Sequence, residues 1–95
     1  MEKEVMEKEK RDWEALASEL RGLLQGFTTS YGTTVYAPPG GNDIFVEPLP
    51  GHEDAPLLGY SLYAITDFCR CKGLHAVVRA HTDYNNNALW RVIIG

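Results

Sequence analysis

Cysteines, basic residues and long apolar runs are all scarce in this chain, and each shortage removes a class of answers. The 95 residues include two cysteines, Cys69 and Cys71, with one residue between them. That is no disulfide framework, and a reducing, cytoplasmic setting is the expectation. No apolar run approaches the roughly 18 residues of a membrane span, so no membrane role is expected. The first residues are charged and lack an apolar h-region, which argues against a secretory signal. Nine Lys and Arg against thirteen Asp and Glu give a net charge of −4, whereas a general nucleic-acid binder is usually basic.

Catalytic and metal motifs are missing too. Ser18, Ser30 and Ser61 are the only serines, and none sits in Gly-x-Ser-x-Gly. Gly40-Gly41 is followed by no lysine and opens no helix, so it reads as a hairpin turn and not a phosphate loop. Cys69-Arg70-Cys71 with His75 and His81 following has the wrong spacing for a zinc knuckle. On a helix, positions 69 and 71 diverge by about 200° of rotation, so Cys69 reads as a small core residue. His52-Glu53-Asp54 reads as a solvated loop with an N-cap, since no nucleophile is placed beside it. No cofactor, metal or catalytic residue is expected.

One pattern occurs twice: an amphipathic helix that stops at a glycine, then a two-stranded hairpin. The first copy runs from Trp13 through Gly26 to Glu47, the second from Leu57 through Gly73 to Ile94. Residues 1–11 alternate Glu and Lys and form a charged helical extension or arm; residues 12–95 form a single domain. In the first helix Trp13, Leu16, Ala17, Leu20, Leu23, Leu24 and Phe27 recur at three- and four-residue steps. Thr33–Ala37 and Asp43–Glu47 read as strands around a Pro38–Asn42 turn. The second helix is expected to start near Asp54–Leu57, with Asp54 as N-cap and Pro56 in the first turn. Its stripe is Leu58, Leu62, Ile65 and Cys69, with Ala64 and Phe68 beside it. Gly73 is its expected stop.

His75–His81 alternates cleanly, Asp83–Asn87 makes a turn, and Ala88–Ile94 is apolar on both faces except at Arg91, which suggests a central strand. The expected fold is α+β: a two-layer α-β-β-α-β-β sandwich, with a four-stranded mainly antiparallel sheet and both helices on one face. Strand order is not readable.

This architecture leaves one sheet face open. If Val35, Ile44, Val46, Val78, Trp90 and Val92 point to the helices, the open face carries Tyr36, Phe45, Glu47, His75, Val77, Arg79, His81, Leu89, Arg91 and Ile93. That set of aromatics, aliphatics and cations is less polar than a bare sheet face normally is. It suits a protein interface with an apolar centre and a charged rim. It also suits stacking of single-stranded bases on Tyr36 and Phe45, with Arg79 and Arg91 on phosphates. Two unpaired strand edges offer pairing with a second copy, hence a homodimer, or with another protein.

Charge is unevenly placed as well. Residues 43–67 carry five acids and no Lys or Arg, and residues 68–95 carry four bases and one acid. Asp43, Glu47, Glu53 and Asp54 therefore form a second candidate protein-binding surface.

The expectation is a small non-catalytic protein-binding module, an inhibitor or adaptor that covers a surface of a partner protein, which could itself bind nucleic acid. A single-stranded nucleic-acid binder using the open face is the alternative, and a small enzyme or enzyme subunit with a deep pocket the second alternative. In general character the chain resembles the small, acidic, motif-poor inhibitors of nucleic-acid-handling machinery that phages and mobile elements encode, anti-CRISPR proteins among them. The resemblance is one of size and charge and rests on no residue motif.

Overall fold

Asp12 opens the first helix. Its side chain accepts a hydrogen bond from the Ala15 backbone N–H at 3.0 Å, which satisfies one of the unpaired donors of the first turn. The computed structural model describes residues 12–25, 32–52, 55–57, 59–82 and 88–95. The expected arm at 1–11, the stop at Gly26, the acids Glu53 and Asp54, and the turn 83–87 lie outside the described residues.

Helix α1 spans Trp13–Leu23. It buries Trp13, Ala17 and Leu20, with Leu24 following, and half-buries Leu16. Leu23, expected in the stripe, is 59% exposed. It lies one residue round from the buried Leu24, and the apolar arc is narrower than its list of leucines suggests.

Helix α2 spans Gly59–Lys72 and so begins later than the Asp54–Leu57 expected. Ala55, Pro56 and Leu57 precede it as irregular chain, and Ala55 is buried with its carbonyl accepting from the Trp90 indole N–H at 2.8 Å. That bond holds the lead-in against the sheet. The inward face of α2 is Ser61, Ile65, Phe68 and Cys69. Ser61 takes a position the apolar pattern had not assigned to the core. At the other end Gly73 adopts φ +68°, and the Leu74 N–H returns to the Cys69 carbonyl at 2.8 Å. This is the six-to-one bond of a Schellman stop. Leu74 and Cys69 both join the core behind it. Lys72 meets Glu19 of α1 at 3.0 Å and links the two helices.

The four strands are β1 (Thr33–Tyr36), β2 (Ile44–Pro48), β3 (Ala76–Thr82) and β4 (Ala88–Ile94). They form one antiparallel sheet in the order β1-β2-β4-β3. The β1–β2 turn closes with the Gly41 N–H on the Pro38 carbonyl, with Gly40 at φ +76° after Pro39, as a type II turn requires. The architecture is therefore α+β with both helices on one face of the sheet. Val35, Ile44, Val46, Val92 and Ile94 from the sheet meet α1 and α2 in a single core. Strand β4, apolar on both faces, is central. Among the described residues no helix is long and apolar enough to cross a membrane.

Candidate functional site

Alternation and register place one row of side chains per strand on the uncovered face. Tyr36 on β1 lies opposite Phe45 on β2, Phe45 opposite Ile93 on β4, and Ile93 opposite Val77 on β3. One step along, Arg91 lies opposite Arg79. The ladder brings together candidates that are 34 to 55 positions apart in sequence from Tyr36 to Arg91 and from Phe45 to Arg79.

These groups form a bonded cluster. The Tyr36 hydroxyl donates to Glu47 Oε1 at 2.9 Å, and Arg91 Nε donates to Glu47 Oε2 at 2.7 Å. The Arg91 guanidinium sits 5.0 Å from the centre of the Phe45 ring, within cation–π range. Tyr36 and Phe45 meet edge to face, with centroids 5.6 Å apart. Burial, and then the hydrogen bond and negative charge of Glu47, raise the Tyr36 phenol above its ordinary value of 10.0, against a smaller lowering by Arg91.

Glu47 was expected both in the acidic segment and on the open face. In the fold it belongs to the sheet face, with both oxygens engaged. Asp43 is half-buried next to the chain's last residue: a Cβ on Gly95 would fall 2.6 Å from Asp43 Oδ1. Glu53 and Asp54 lie outside the described residues.

Arg79 differs from Arg91. It is exposed and has no carboxylate partner among the described residues. It lines a shallow open depression with Ala80, Arg91 and Ile93. His75 is exposed at the start of the same row, and its backbone exchanges two hydrogen bonds with Gly95, each 2.9 Å. His81 pairs with Leu89 in the ladder; its side chain is not among those described.

Strand β3 also departs from the sequence reading. Val78 does point to the helix side, yet it is 51% exposed, and Val77 on the other face is 50% exposed. Every described side chain of β3, from Ala76 to Ala80, is exposed. Helix α1 lies over β1 and β2, and α2 reaches β3 without covering it. The alternation of β3 predicts which way each residue points but not where the helical layer stops. The small side chains of Ala76 and Ala80 were the available signal, since they give a helix little to pack against. On α2, Tyr60 and Tyr63 are also exposed, at 73% and 72%.

Among the described residues no three His, Cys, Asp or Glu side chains gather in a way that could hold a metal ion. Cys69 is buried and Cys71 exposed, both as free thiols, and burial pushes the Cys69 thiol up. No protein-family model, curated protein or solved structure matches the chain.

Proposed function

We propose that the chain is a small non-catalytic protein-binding module, an inhibitor or adaptor, that covers a partner's surface with the β3 end of its sheet. The carrying observation is that β3 is exposed along both of its faces, with Val77 and Val78 each half-exposed on opposite sides. Adjacent apolar area of this kind, rimmed by a cation, is typical of interaction sites. The two free thiols favour a reducing, cytoplasmic compartment for this activity.

The nucleic-acid reading draws on one arrangement, Arg79 and Arg91 beside Tyr36 and Phe45. Glu47 weighs against it, because its carboxylate occupies Arg91 and Tyr36 and would repel a phosphate. Affinity capture from a lysate of the source organism separates the two. A defined protein should be retained with and without nuclease, and Val77→Asp should reduce it at least several-fold. Material lost on nuclease treatment would transfer the function to nucleic acid. Capture indifferent to Val77→Asp would remove the β3 end as the surface.

A further inference from the structure

The backbone of β3 determines how a partner could attach. His75 and Gly95 exchange both of their hydrogen bonds, and the β3–β4 register continues unbroken from Ala76↔Ile94 to Thr82↔Ala88. In an antiparallel ladder, hydrogen-bonded and non-hydrogen-bonded pairs alternate. Val77 and Arg79 therefore direct their N–H and C=O groups inward to β4. Ala76, Val78 and Ala80 direct theirs outward, where no further strand stands among the described residues. The outer rim of the sheet is a row of donors and acceptors with exposed side chains above and below.

The charge along one row says what should lie beyond that rim. Thr34 lies opposite Glu47 and Arg91 opposite Arg79, and the Glu47–Arg91 ion pair joins the two across β2 and β4. Glu47 neutralises Arg91. Arg79 has no such neighbour on its inner side, where it faces Arg91, and like charges directly opposite are unfavourable. A carboxylate on its outer side would complete the row. We propose, on the reading that the β3 end is the binding surface, that β3 receives an extended segment of a partner protein as a fifth, antiparallel strand, with an Asp or Glu of that segment opposite Arg79.

Because Arg79 bonds inward, the residue facing it on the added strand occupies a non-hydrogen-bonded pair. There the Cα atoms approach to about 4.5 Å and side chains interact most closely. Two positions away on the same face, the segment would lay an apolar side chain on Val77. Between these, small or β-branched residues would fit over Val78 and Ala80. A second copy of this chain is the poorer occupant: pairing centred on position 79 sets Arg79 against Arg79, and other registers still gather four arginines with only two glutamates engaged. Strand addition of this type draws affinity from main-chain bonds and specificity from alternate side chains.

The test uses three end-blocked seven-residue peptides of Val and Thr, with Glu, Gln or Lys at the centre, titrated against the whole protein. The Glu peptide should bind roughly five- to tenfold tighter than the Lys peptide, given opposed cross-strand charges, with Gln between them. It should slow hydrogen exchange at Ala76, Val78 and Ala80. Arg79→Glu should invert the order of the peptides. Val78→Pro removes one outward N–H and no bond to β4, a placement an edge strand tolerates, and should abolish binding while circular dichroism is unchanged.

Equal binding of the three peptides, or none at millimolar concentration, overturns the proposal. So does a dimer in sedimentation that Val78→Pro dissolves, since the rim would then serve a second copy. If no peptide binds while capture still depends on Val77, strand addition falls and the surface reading stands. If the peptides behave as stated while capture ignores Val77→Asp, the rim accepts strands but the captured protein uses another surface.

Discussion

The two edges of this sheet are built in opposite ways. Strand β1 is four residues long and β3 seven. The Leu49 N–H bonds to the Gly32 carbonyl, so by alternation Val35 points its backbone outward. Its carbonyl is not left bare: Arg21 of α1 donates to it from Nε at 3.1 Å and Nη2 at 2.7 Å. The side chain of Val35 is buried beneath the same helix. At β1 a helix supplies both the apolar lid and the polar cap. At β3 it supplies neither. One small sheet thus holds a protected edge and, among the described residues, an unprotected one, and it is on this difference that the proposed binding at β3 rests.

The largest effect that could break this comparison is a difference in stability. Leu20→Ala, in the covered half, should lower unfolding free energy by about 2–5 kcal/mol. Val78→Ala, a smaller truncation at an exposed site, should stay within about 0.5 kcal/mol of the parent. Denaturant titration reads both, and a Val78→Ala loss rivalling that of Leu20→Ala would mean β3 is covered after all.

Arg21→Ala sharpens the contrast from the other side. It removes two charge-assisted bonds from the Val35 carbonyl and should destabilise by about 1–3 kcal/mol. A neutral result would deny β1 its cap.

Glu47→Gln should remove about 0.2–1 kcal/mol, as expected of a partly exposed ion pair, and should leave Arg91 as uncompensated as Arg79. The glutamine variant also reports on Tyr36. A phenol whose folded value is raised contributes stability that is fully present below its unfolded value, and that stability is lost as pH rises through the folded one. The parent should therefore lose stability above about pH 10. In Glu47→Gln the Tyr36 titration, followed by NMR, should move down while remaining raised, because burial is the larger cause. An unmoved titration would contradict the hydrogen bond.

The smallest effect concerns α2. Cys71→Ser should change stability by less than about 0.5 kcal/mol, and it leaves Cys69 as a reporter of whether the helix stays docked. That thiol should resist alkylation under native conditions. Rapid labelling would mean that α2 lifts readily and that the difference between the edges is not fixed.

Sequence periodicity reads orientation well and extent poorly. The alternation of His75–His81 and the apolar run of β4 were sufficient to assign faces, because a strand's period of two leaves no other choice once one face is buried. The glycine stop at Gly73 and the helix-first order were equally legible. Three features were not. The pairing of β2 with β4 depends on contacts between distant segments. Glu47 was placed on the open face by alternation, but its ion pair with Arg91, 44 positions away, has no local sequence signal. The openness of β3 depends on where two helices lie, which no residue of β3 encodes beyond the modest bulk of Ala76 and Ala80.

Arg79 has a consequence for the protein before any partner arrives. An apolar strand with a bare rim is a template on which identical molecules can stack into insoluble polymer. A buried-style hydrophobe at position 79 would complete a run from Ala76 to Ala80 with no charge at all. The single guanidinium within it sets like charges against each other when two such rims meet at that position.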